Sequence, residues 1–257
     1  MRILALDTAT ENCSAALLID GQVNARERLL ERGHAEHILP MVDELLAESG
    51  IALTTLSALA FGRGPGAFTG VRLAASVAQG LAFGAGLAVI AVSDLRALAQ
   101  RALEEDATVA RVLACMDARM HEVYWGCFER SAGGLAEAIG EERLSKPADV
   151  HLPQEWHSRA AAGARLERGA AVADPAAEVA AWRLCAAGSG FAAYPELRAA
   201  AAARADSVRE RLLPAAREIA LLAAPEVAAG RLLPPEQALP VYLREDVTHQ
   251  SPRESPG

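Results

Sequence analysis

One short pattern occurs twice in the 257 residues and constrains the fold more than any other feature. Arg2-Ile3-Leu4-Ala5-Leu6-Asp7 and Arg111-Val112-Leu113-Ala114-Cys115-Met116-Asp117 each run Arg, a β-branched residue, Leu, Ala, and end in Asp. A short apolar run bounded by charge reads as a buried strand. Each run is followed by another strand pattern, Ser14 to Val23 with Asp20-Gly21 as a turn signal, and Glu122 to Glu129. The repetition predicts an internal duplication, with similar half-molecules beginning near Met1 and near Ala110.

The first half is well punctuated. Ile38, Met41, Val42, Leu45 and Leu46 fall at i, i+3, i+4, i+7 and i+8, which predicts a helix over His34–Glu48 closed by Gly50. Pro40 lies near enough to its start to mark the first turn or a kink. Strand Leu59–Phe61, helix Gly70–Phe83, strand Leu87–Val92 and helix Asp94–Leu103 follow, the last capped by Ser93. Three strands followed by alternating helices and strands make an α/β fold with part of the sheet parallel.

From Ala160 to Ala229 alanine is so frequent that periodicity loses contrast. Trp182–Ala187 reads as a strand entering the loop Gly188-Ser189-Gly190, and Tyr194–Ala205 and Ser207–Leu222 read as helices. The expected organisation is a first domain over 1–108, a second over 109–206, a helix within 207–230 packing back on the first, and a flexible polar tail over 245–257.

Composition narrows the function. A net charge of −8, with Lys146 the sole lysine, argues against tight nucleic-acid binding by this chain alone, although a basic partner would change that. Cys13, Cys115, Cys127 and Cys185 are scattered, which fits neither a zinc ribbon nor a disulfide framework. Asp7 comes too early for a signal peptide, and Gly80 to Val92 is too short to span a bilayer. The expected setting is cytoplasmic, with no membrane partner.

The densest candidate is Gly62-Arg63-Gly64-Pro65-Gly66-Ala67-Phe68-Thr69-Gly70-Val71-Arg72. A P-loop needs Lys after its last glycine, and here Val71 follows Gly70; the G-x-G-x-x-G spacing is also missing. Three uses stay open: a sharp turn the fold requires, an anion or nucleotide contact at a helix N-terminus capped by Thr69, or a mount for a docking surface. The helix it feeds is almost wholly apolar, its polar residues Arg72, Ser76 and Gln79 standing at i, i+4 and i+7. Such a helix wants to bury most of its girth, which favours a partner subunit. His34 and His37 lack further ligands and read as cap or surface residues. Asp7 and Asp117 end their strands, where they serve either as catalytic carboxylates or as turn residues. There is no G-x-S-x-G elbow.

Together these residues resemble the TsaB family, also called YeaZ. The likeness is carried by Leu6-Asp7-Thr8-Ala9-Thr10-Glu11, by His34 with Leu39-Pro40-Met41-Val42-Asp43-Glu44-Leu45-Leu46, and by the glycine loop. Met116-Asp117-Ala118-Arg119 with Glu122-Val123-Tyr124, and Pro240-Val241-Tyr242-Leu243-Arg244, complete it. It spans nearly the whole chain and is weakest over Gly133 to Ala181. The resemblance implies an actin-like ATPase (ASKHA) fold of two ribonuclease-H-like domains, each a mixed sheet flanked by helices.

It also implies a non-catalytic subunit of the machinery that makes N6-threonylcarbamoyladenosine (t6A) in ANN-decoding tRNAs. The implied partners are TsaD, the transferase, and TsaE; the chain would pair with itself in isolation and meet tRNA only through the complex. ATP would be used by the complex, with no cofactor or metal held by this chain alone. The family contact uses the two helices of the first domain, which places His37, Met41, Glu44, Val71, Ala74, Ala75 and Ala78 at the interface. Asp7, Gly64, Gly66 and Thr69 are the candidates for a degenerate nucleotide site, because neither strand-ending Asp enters a glycine-rich turn. An independent actin-like small-molecule kinase or peptidase is the alternative.

Overall fold

The computed structural model describes residues 1–156 and 183–244. In the first of two five-stranded sheets, β1 (Arg2–Asp7), β2 (Asn12–Ile19), β3 (Gln22–Leu29), β4 (Ala58–Gly62) and β5 (Val89–Val92) lie in the order β3-β2-β1-β4-β5. In the second, β6 (Val109–Arg119), β7 (Glu122–Arg130), β8 (Ala136–Ser145), β9 (Arg183–Ala187) and β10 (Ser207–Arg209) lie in the order β10-β9-β6-β7-β8. Taken from its opposite edge, the second order repeats the first. In both, the leading strand opens an antiparallel meander on one side and pairs in parallel on the other. The duplicated Arg-to-Asp strings are therefore the central strands β1 and β6 of two equivalent lobes.

Alternation along the strands sorts the core into layers. Leu4, Leu6, Leu59 and Phe61 face α1 (His34–Ser49) and α2 (Phe68–Ala85). Ile3, Ala5, Ala58 and Ala60 face the opposite way, onto α6 (Ala216–Ala228). The helix α3 (Asp94–Glu105) joins the lobes: its Ala97 packs with the α6 layer, while Leu95, Leu98, Ala102 and Leu103 pack on Val112, Ala114 and Phe128 of the second sheet. On that sheet's other face, Leu113, Cys115 and Trp125 meet Phe191 of α4 (Ser189–Ala193) and Leu197 of α5 (Pro195–Ala202).

Three local expectations change. The helix expected from Ser207 begins at Ala216; Ser207–Arg209 is instead a parallel edge strand on β9, too short to show a period. Strand β8 went unread because its Glu-rich string carries the charges of a sheet edge. Ser93 does cap α3, accepting from Arg96 N at 3.2 Å, but α2 is preceded by Ala67 and Thr69 sits inside its first turn. The tail over 245–257 and most of the alanine-rich stretch before Arg183 lie outside the described residues.

Candidate functional site

The glycine loop leaves β4 and lies directly on the turn that follows β1. Ala67 N donates to the Ala9 carbonyl at 2.7 Å, and Thr8 Oγ1 donates to the Gly70 carbonyl at 2.7 Å. A Cβ at Gly70 would overlap the Thr8 carbonyl oxygen, and one at Gly66 would overlap that of Ala9. These two glycines let one backbone seat on another.

Asp7 lies beneath that seat with no exposed surface. Its Oδ1 accepts from Ala9 N at 2.8 Å, and its carboxyl and that of Asp94, the first residue of α3, both crowd the position that a Cβ on Gly62 would take. Asp94, equally buried, accepts from Gly64 N at 2.5 Å. Asp7 Oδ2 and Asp94 Oδ1 are buried without a hydrogen-bond partner among the described residues. Burial pushes Asp7 up to about 6, despite the lowering effect of Ala9 N and Asp94. Burial and the neighbouring Asp7 charge hold Asp94 well above the usual carboxylate range. The pair ties the β1–β2 turn, the glycine loop and the start of α3 into one knot. It has no open approach for a substrate.

Asp117, at the matching place in the second lobe, is equally occupied. Its Oδ1 accepts from Arg119 N and from the Tyr194 hydroxyl, both at 2.9 Å, and Arg119 lies 3.1 Å from its Oδ2. Its own N–H donates to Ser189 Oγ at 3.1 Å. The two strand-ending aspartates thus serve as turn residues. His34 Nε2 donates to the Thr10 carbonyl at 2.8 Å, and His37 Nδ1 accepts from Arg28 at 3.0 Å. Among the described residues no three His, Cys, Asp or Glu side chains gather as metal ligands.

The expected interface residues divide. Val71, Ala74, Ala75 and Ala78 are 3% exposed or less, and Met41 is buried in one cluster with Ala75 and Ala78. They are core, because a helix lying on a sheet turns its small apolar face inward. Glu44 is exposed and His37 half-buried. Of the nucleotide candidates, Gly64 is buried, Gly66 half-buried and Thr69 exposed, so they do not converge with Asp7 on an open site.

What α2 offers outward was missed. Ser76, Gly80 and Gly84 are exposed at four-residue spacing, with Phe68 61% and Phe83 79% exposed towards its two ends. A Cβ at Gly80 or Gly84 would meet nothing within 4 Å. Glycine inside a helix costs roughly 0.5–1 kcal/mol against alanine, and nothing among the described residues calls for it at these two positions. That cost was the available signal: two glycines four apart inside an otherwise strong helical run.

Residues 23–250 match the family model "TsaD: tRNA N6-adenosine threonylcarbamoyltransferase". The "tRNA threonylcarbamoyladenosine biosynthesis protein TsaB" of Escherichia coli K12 is 42% identical over 253 residues, spanning 96% of both chains. The Bacillus subtilis protein of the same name is 31% identical over 145 residues, 56% of this chain and 62% of that one. The solved structure "YeaZ from Pseudomonas aeruginosa" superposes with a TM-score of 0.76 at 40% identity, covering 94% of this chain and 99% of that one. No described helix is long and apolar enough to cross a membrane.

Proposed function

The chain belongs to the TsaB (YeaZ) family, with its two-lobed actin-like α/β fold and its place in tRNA t6A biosynthesis, and we propose that it acts there as a non-catalytic scaffolding subunit. Its docking surface is the outward face of α2, assisted by the exposed side of α1. The partner that fits is TsaD, with TsaE joining the assembly, and a second copy of this chain takes the same face when TsaD is absent. ATP is consumed by the complex and is not held by this chain alone. With a net charge of −8, the chain meets tRNA only through its partners, in the cytoplasm.

One observation carries the reading: Gly80 and Gly84 are exposed, without neighbours, inside a helix that elsewhere packs tightly on its sheet. Small residues at four-residue spacing let a partner helix come close enough to interdigitate. Supporting it, Asp7 is fully buried with its Oδ1 taken by Ala9 N, which suits neither a metal-binding carboxylate nor a general base. Co-purification with TsaD tests the reading. Gly80→Arg should abolish the complex while the isolated chain still melts cooperatively. A Gly80→Arg chain that held TsaD as tightly as the parent would put the docking surface elsewhere.

A further inference from the structure

After α6 the chain does not simply end. Leu233 exchanges both backbone hydrogen bonds with Val89, at 2.8 and 2.9 Å, extending the β5 edge of the first sheet. Ala238 is buried in the first-lobe core. Val241 N then donates to the Arg63 carbonyl at 2.7 Å, crossing the glycine loop. Tyr242 lies beside Phe68, with the Arg72 guanidinium 4.6 Å from its ring. Two residues on, the chain reaches the second lobe. Arg244 pairs with Glu122 at 2.6 Å, donates to the Ala118 carbonyl at 3.1 Å and touches Met120 Sδ. A cavity of about 750 Å³ lies between the lobes, and the segment after α6 walls it through Leu239 and Val241, opposite Phe128 and Glu142 of the second lobe.

The place where Arg244 lands is itself under strain. Arg119, Met120 and His121 follow one another at φ 62°, 54° and 57°, a left-handed run without a glycine. The β2–β3 turn meets the same need with Asp20-Gly21. Non-glycine residues held there persist only where neighbours over-determine them. Arg244 grips both sides of this turn, at Ala118 and at Glu122.

We infer that residues 231–244 are a clasp that locks the two lobes in one relative orientation, with Arg244 as its latch on the β6–β7 turn. The actin-like arrangement of two lobes about a shared helix layer is suited to hinging. Here the clasp joins the loop over the first lobe's turn to the equivalent turn of the second, so the molecule is held as one rigid body. This goes beyond the scaffolding reading and does not depend on which partner docks.

The test is a distance distribution between the lobes of the whole chain. Spin labels go on exposed positions, through Leu29→Cys in β3 and Glu141→Cys in β8. The four native thiols are buried, and burial pushes Cys13 up to about 11, so they stay unlabelled. The clasp requires one narrow distribution in the parent. Arg244→Ala should broaden it roughly twofold or more, Arg244→Lys should recover most of the narrowing through Glu122, and Arg231→Ala, whose guanidinium pairs with Glu226 within the first lobe, should leave it unchanged. Should Arg244→Ala melt without cooperativity, Arg244→Gln is measured in its place. An unbroadened Arg244 variant, or equal broadening in Arg231→Ala, overturns the clasp. TsaD binding by the same proteins is a separate readout, and its loss would bear on the docking face alone.

Discussion

The buried carboxyls set how stability depends on acidity. Asp7 rises from 3.8 to about 6, Asp94 rises well above 3.8, and Glu218, 2% exposed on α6, rises from 4.5 to about 7, each chiefly through burial. A raised carboxyl keeps in the folded state a proton that the unfolded chain has already released. Its stabilising contribution is therefore complete below the unfolded value and is lost as pH climbs through the folded one. Thermal stability should fall between about pH 4 and pH 7, opposite in sign to a protein held by depressed carboxylates. Glu218→Gln should flatten part of that slope and raise stability at pH 8 by on the order of 2 kcal/mol. Asp94→Asn should flatten it further, since an amide can accept from Gly64 N and donate to Asp7. Melting curves from pH 4 to pH 8 check both, and an unchanged slope in both variants would mean that the pair and Glu218 are ionised in the fold. The sequence marked Asp7 but left its role open, and nothing in it joined Asp94 to Asp7, because they are 87 residues apart and meet only through the β1–β4–β5 pairing.

At the level of the element, α2 shows where hydrophobicity stops being informative. The run from Val71 to Phe83 is apolar on nearly every side, so its inner and outer faces carry almost the same chemistry. Expecting Val71, Ala74, Ala75 and Ala78 at the interface inverted the helix. The correct orientation follows from Arg72 and Ser76, which point away from the sheet, and from glycines with no neighbours. On the proposed docking role, the helix separates stability from binding. Gly80→Ala should stabilise the isolated chain by roughly 0.5–1 kcal/mol, since its helical backbone suits alanine and the site is open. The same change should weaken TsaD binding, because a methyl group then stands between the helices. Paired melting and affinity measurements decide it; a Gly80→Ala chain more stable and equally tight would make the glycine incidental.

On the scale of the whole molecule, the first lobe was legible because its strands are short apolar strings cut by Gly, Ser and Asp. The second was not, because β8 is charged, β10 has three residues, and alanine blurs the helices between. The duplication survived this loss, since a single matching central strand implies the whole repeated topology. The glycine loop showed its sharp turn at once. That it seats on Thr8 and Ala9 depends on a 62-residue return of the chain that no local pattern records. Both lobes share one strand topology, and the aspartate that ends each central strand accepts from a backbone N–H two residues on. The most direct measurement is t6A formation in a reaction reconstituted from TsaD, TsaE, tRNA and ATP with variants of this chain. A scaffold acting through α2 requires Asp7→Asn to support full product and Gly80→Arg to support almost none. Product lost with Asp7→Asn while the complex stays intact, and kept with Gly80→Arg, would contradict it.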